Sequence, residues 1–140
     1  MKIALVTDGI SPFIVGGMQQ HSASLGVELV KLGHIVDLFH FVYIGQDIPT
    51  IRDINNFYFK SSKGFRNVFC CSFPTSVKFP GNYLWNSFKY SKWVFKHICS
   101  NKSQYDFIYT KGFTGWELLR NKNNVTSKKS FKVFFEYANI

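Results

Sequence analysis

Four short stretches of this 140-residue chain hold side chains that could do chemistry. The first, SPFIVGGMQQH at residues 11–21, follows the apolar run IALV and contains Gly16, Gly17 and His21. Paired glycines between a strand and a helix serve one of two ends. They form a tight turn that other residues resist, or they let a phosphate approach the backbone N–H groups of Gly17 and Met18, where the helix dipole also favours negative charge. The context favours the phosphate. His21 falls on the first turn of that helix, where an imidazole either meets a substrate or is hydrogen-bonded within the fold. Asp8 ends the first strand, at the edge where ligand-lining residues of open α/β sheets collect, although an aspartate there also caps turns. Lys111 and Thr114 in TKGFTG, and Glu136 in FFEYANI, reach the same edge from later strands. His21 and Glu136 are thus candidate catalytic groups; Asp8, Gly16, Gly17, Met18, Lys111 and Thr114 are candidate substrate-binding groups.

The elements that must position these groups follow from hydrophobic periodicity. Residues 2–7 form a continuous apolar run, as in a parallel strand buried on both faces. From Met18 to Leu32 the pattern turns helical, with Met18, Ser22, Leu25, Leu29 and Leu32 on one stripe and Gly33 as a stop. IVDLFHF then reads as a second strand, which completes a βαβ unit. Residues 45–81 are less regular, with VFCCSF as a short strand. Asn82 to Ser100 reads as a helix whose inner side is Leu84, Phe88, Phe95, Ile98 and Cys99. A strand at Tyr105–Tyr109, a helix containing Trp116–Leu119 and a strand at Phe131–Phe135 follow. This alternation predicts an α/β fold, a Rossmann-like parallel sheet with helices on both faces. The chain stops soon after a strand, where such a fold continues into a helix. One domain over residues 1–140, incomplete at its C-terminal end, is therefore expected.

Composition narrows the function. The net charge is +9, and no acidic residue lies between Asp53 and Asp106, a segment with eight lysines and arginines and about half of the aromatics. Such a surface suits nucleic acid, an anionic membrane or a phosphorylated ligand, or it is simply a solvated face. Within it, Lys89, Lys92 and Lys96 line up at helical spacing, flanked by Trp85 and Trp93. That is the pattern of an interfacial helix, with packing of Trp85 on a neighbouring segment as the plainer account. Cys70, Cys71 and Cys99 form no disulfide framework, and no His/Cys cluster has metal-ligand spacing, so no metal is expected. The apolar N-terminal stretch is too short for a signal peptide, and the two Asn-x-Ser/Thr sequences at Asn101 and Asn124 read as chance.

The spacing of GGMQQH, then LGH and IVDLF, resembles the start of the family 4 glycosyltransferases. That family has a Gly-Gly-x-x-x-His loop after the first strand and a later Leu-x-x-x-Gly-His-x-Val-x-Leu. The matching positions are Gly16, Gly17, His21, Leu29, Gly33, His34, Val36 and Leu38, and YDFIY resembles a later strand of the family. The resemblance implies the N-terminal, acceptor-side half of a GT-B fold. It implies a retaining enzyme that moves a sugar from a nucleotide sugar to a glycan or lipid-linked acceptor, in surface polysaccharide or lipopolysaccharide biosynthesis. No cofactor is implied; the nucleotide sugar is a co-substrate held mainly by the other half. The paired glutamates of that donor-binding half are missing, since Glu28, Glu117 and Glu136 have no such spacing. This chain alone is expected to be inactive. The implied location is cytoplasmic, peripheral on the inner face of the cytoplasmic membrane. Two rivals stand beside this reading: a non-catalytic Rossmann-like phosphosugar-binding domain, and a basic nucleic-acid-binding module. No recognised nucleic-acid motif is present, so no nucleic acid partner is expected.

Overall fold

Side chains alternate across a strand, and the first strand, β1 (Lys2–Val6), shows what that alternation builds. Ile3 and Leu5 enter one apolar core and Ala4 and Val6 another, and all four are buried. The computed structural model describes residues 1–12, 14, 16–60, 63–73, 81–100, 105–121 and 132–136, with Phe73 and the last five by backbone alone. Both Asn-x-Ser/Thr sequences lie outside the described residues.

The chain runs through β1, α1 (Gly17–Lys31), β2 (Ile35–Tyr43), α2 (Ile51–Tyr58) and β3 (Asn67–Phe73). It continues through α3 (Asn82–Ser100), β4 (Phe107–Lys111), a 3-10 turn at Gly112–Gly115, α4 (Trp116–Arg120) and β5 (Lys132–Glu136). The five strands are all parallel, in the order β3-β2-β1-β4-β5. One core joins Ile3, Leu5, Val36 and Leu38 to Ala23 and Val30 of α1 and Ile54 of α2. The other joins Ala4, Val6, Phe39 and Ile108 to Tyr90, Val94 and Ile98 of α3 and Leu118 of α4. Helices therefore cover both faces, as a parallel sheet requires.

Helix ends follow local chemistry. Gly33 has φ +84, a left-handed conformation that glycine adopts without strain. Its N–H donates to the Val30 carbonyl at 2.9 Å and that of His34 to Leu29 at 3.1 Å, the paired bonds that close a helix C-terminus. Thr50 and Asp53 cap α2 reciprocally, a Thr-x-x-Asp signal that the irregular reading of residues 45–81 passed over.

The buried helix faces match the expected stripes only in part, at Ser22 and Ile98, with Leu25, Leu29 and Phe95 half-buried against the cores. α1 buries Ser22, Ala23, Gly26 and Val30, while Leu32 is 72% exposed. The reason is close approach: a Cβ on Gly26 would stand 2.8 Å from Phe65 Cζ and 2.9 Å from Leu5 Cδ2. α3 buries Asn86, Ser87, Tyr90, Ser91, Val94 and Ile98, leaving Leu84 and Cys99 exposed. Small hydroxyls let this helix sit close, and Ser91 Oγ accepts the Glu117 N–H at 2.7 Å, tying α4 to α3.

Near the amino ends of the strands a buried carboxylate clamps three of them. Asp37, on β2, is 1% exposed. It accepts from Arg66 Nε at 2.8 Å and Nη2 at 2.5 Å, from Asn67 Nδ2 at 3.1 Å and from the Tyr105 hydroxyl at 2.7 Å. Burial pushes its pKa up, but the Arg66 and Tyr105 hydrogen bonds, the Arg66 charge and Asn67 together hold it below the usual value. Farther along β2, His40 is fully buried, and burial pushes its pKa down to about 4, so the ring is neutral.

Candidate functional site

In the order β3-β2-β1-β4-β5 the chain winds outward from β1 on one side and then restarts at β4 on the other. The carboxyl ends of β1 and β4 therefore flank the point where the winding reverses, and open α/β sheets bind ligands in the crevice formed there. Asp8 follows β1 and Lys111 closes β4. Both candidates sit at the reversal.

The local chain explains how Asp8 is held. The Thr7 N–H extends the sheet by donating to the Phe39 carbonyl at 2.9 Å. The Thr7 hydroxyl donates to the Gly9 carbonyl at 2.8 Å, which fixes the turn that carries Asp8 over the strand ends. Asp8 is 6% exposed, and the hydroxyls beside it are distant. The Tyr83 hydroxyl lies 3.4 Å from Oδ2, and Thr7 Oγ1 lies 3.5 Å from Oδ1 with its single proton directed at Gly9. Hydroxyl bonds to a carboxylate normally close to about 2.5–2.7 Å. Burial raises the Asp8 pKa; its own backbone N–H, Tyr83, Gln19 and the Lys111 charge offset that only in part. A carboxylate so placed keeps capacity for another donor, such as a hydroxyl.

Lys111 supplies the opposite charge. It is nearly buried, and its Nζ lies 2.7 Å from His21 Nδ1 on α1. An ammonium has only protons to give, so Nδ1 accepts and the imidazole proton is placed on Nε2. The first turn of α1 is thereby drawn to the strand ends, by His21 toward Lys111 and by Gln19 toward Asp8.

The glycine pair now has a physical reading. Gly16 is the N-cap, with φ 169, an extended conformation open to any residue. The Gln19 side-chain amide lies where a Cβ at position 16 would stand, so a larger residue there would have to turn that flexible side chain aside. A Cβ on Gly17 would meet open space. Gly16 has no side chain to cap α1, and no acidic residue stands in the first turn, so the positive end of the helix dipole at Gly17 and Met18 lies at the carboxyl edge.

Asp8, Gly16, Gly17, Met18, His21 and Lys111 thus gather at one place. Thr114 does not join them as a binding group. It is 1% exposed, its hydroxyl donates to the Lys111 carbonyl at 2.5 Å, and it lies 3.1 Å from Thr110 Oγ1, so it holds the turn after β4. Glu136 ends β5 opposite Lys111 in the register; its side chain lies outside the described residues. Trp93 is a second correction. It stacks on Tyr90 at 6.0 Å and meets Phe39 edge-on at 6.3 Å, so it packs inward and not beside the outward lysines. Sequence reasoning missed Tyr83 and Gln19, which approach Asp8 from α3 and α1. Among the described residues no group of three His, Cys, Asp or Glu side chains could hold a metal ion, and no helix is long and apolar enough to cross a membrane.

Fold and site together define an α/β protein of the Rossmann-like class with a cluster of polar groups at its switch point. The solved C-terminal domain of a hydrogenase from Pyrococcus furiosus has the same fold, with a TM-score of 0.57 over 94% of this chain and 89% of that one. At 12% identity, that likeness concerns the fold alone. A stretch of 55 residues is 44% identical to an uncharacterized glycosyltransferase of Methanocaldococcus jannaschii, covering 39% of this chain and 13% of that protein. The likeness in sequence is thus to a glycosyltransferase, over a small part of its length. No family model matches the chain.

Proposed function

We propose that the chain is the acceptor-side domain of a retaining glycosyltransferase of GT-B type, which passes a sugar from a nucleotide sugar to a glycan or lipid-linked acceptor. Surface polysaccharide or lipopolysaccharide assembly is the process it would serve. The observation that carries the reading is the meeting of Asp8, Lys111 and the uncapped first turn of α1 at the switch point. The 44% identity to a glycosyltransferase supports it.

In this reading each group has one task. Asp8 accepts a hydrogen bond from the acceptor hydroxyl and aims its oxygen at the sugar. Lys111, steadied by His21, and the N–H groups of Gly17 and Met18 face the diphosphate as negative charge grows on it. The hydroxyl attacks from the face that the diphosphate leaves, the anomeric bond breaks, and the hydroxyl proton passes to the departing phosphate oxygen. Positioning and preorganised positive charge supply the rate. The donor's base and ribose are bound by a second half of the GT-B pair, so the chain by itself transfers no sugar.

Titration of the isotopically labelled chain with inorganic pyrophosphate and a panel of nucleoside-diphosphate sugars tests this. Amide signals of Gly17, Met18 and Lys111 should move together, and Lys111→Met should weaken the response at least tenfold. Shifts confined to other surfaces, or an unchanged response in Lys111→Met, would remove the phosphate-facing role.

A further inference from the structure

The outward side of α3 is not an ordinary solvated face. Because Tyr90, Val94 and Ile98 point to the sheet, the opposite side carries Trp85, Lys89, Lys92 and Lys96, all exposed. Trp85 is 57% exposed, and Lys89 Nζ sits 5.3 Å from its ring centre. No acidic residue occurs on the helix. Beside this row lies a second group of rings. Phe88 approaches Phe113 at 6.1 Å and Trp116 at 5.8 Å, and those two are 43% and 46% exposed. Rings from α3, the 3-10 turn and α4 thus form one aromatic patch bordered by a row of lysines.

Water alone does not account for both features. A solvated helix has no use for exposed tryptophans, and a buried interface between proteins avoids rows of lysine. An interface with lipid uses both: indole rings settle at headgroup depth, and lysine stems lie along apolar surface while their ammonium groups meet anionic headgroups. We propose that this face docks on an anionic lipid bilayer. The inference stands on the surface itself and holds whether or not the chain serves sugar transfer. Tyr83, which reaches Asp8, is two residues from Trp85 on the same helix. A bilayer held here therefore adjoins the carboxyl edge of the sheet.

Vesicles of phosphatidylcholine, with and without phosphatidylglycerol, provide the test on the full chain. Vesicles containing phosphatidylglycerol should bind the protein, shift tryptophan emission to the blue, and release it as salt rises through the screening range. Combined Lys89→Gln, Lys92→Gln and Lys96→Gln changes should weaken binding on the order of a hundredfold, given the attraction of each lysine to an anionic surface. Trp85→Ser and Trp116→Ser should each weaken it with circular dichroism unchanged, since both side chains are exposed. Absence of binding, equal binding to neutral vesicles, or full binding by the triple variant would overturn the proposal. So would self-association that Trp85→Ser abolishes in a protein that ignores lipid.

Discussion

Asp37 and Asp8 are both buried, and each stands beside the parallel strands of one sheet, yet their surroundings differ in kind. Asp37, toward the amino ends, accepts four hydrogen bonds from Arg66, Asn67 and Tyr105 at 2.5–3.1 Å. Asp8, at the carboxyl ends, has hydroxyls no nearer than 3.4 Å. Removing a carboxylate from water is costly unless donors replace the water. At Asp37 that replacement comes from within the fold, and the pKa falls; at Asp8 it is incomplete, and the pKa rises. One end of the sheet uses its buried charge to hold strands together. The other keeps a buried charge ready for a donor from outside.

The largest expected effect breaks the structural end. Asp37→Asn leaves the Arg66 guanidinium and the Tyr105 hydroxyl without an anionic partner, and should cost about 2–3 kcal/mol in urea unfolding. The figure is set toward the low end because Arg66 remains partly exposed. The sign with pH follows. A carboxylate whose folded pKa lies below 3.8 adds stability above that pH, and the addition is lost as pH falls through the lower folded value. Wild type should thus lose more stability than Asp37→Asn below about pH 3.8. A variant as stable as wild type at neutral pH would erase the contrast.

A smaller change of opposite sign is expected at the other end. Asp8 has a folded pKa above 3.8, so its protonated form is favoured by folding and its charged form opposes folding. That opposition is absent below the unfolded value and fully present above the folded one. Asp8→Asn should therefore raise the melting temperature at about pH 7 and leave it unchanged near pH 3, taken as a difference from wild type so that His40 cancels. A lowered melting temperature at neutral pH would make Asp8 a second clamp.

These contrasts also mark what the sequence allowed. Strand and helix positions were legible where a single signal dominated: the run at residues 2–7, the Gly33 stop, the long periodic stretch from Asn82 to Ser100. Buried faces were harder, because α1 and α3 meet the sheet through Gly26, Ser87 and Ser91 as well as through apolar residues, and a count of apolar side chains assigns such small or polar residues outward. Asp8 was legible as a strand-end carboxylate and Gly16-Gly17 as a helix start. Tyr83 was not, since 75 positions separate it from Asp8 and only α3 packing joins them. Thr114 was legible as an edge residue, but its position did not reveal that its hydroxyl bonds the Lys111 carbonyl.

The most direct measurement is a carbon-13 titration of the aspartate carboxyls in the intact chain, with and without a nucleoside-diphosphate sugar. The account predicts that the Asp8 signal titrates above the ordinary carboxylate value and the Asp37 signal below it, and that added ligand moves Asp8 while leaving Asp37 where it was. Equal titration of the two, or a ligand response at Asp37 with none at Asp8, would contradict it.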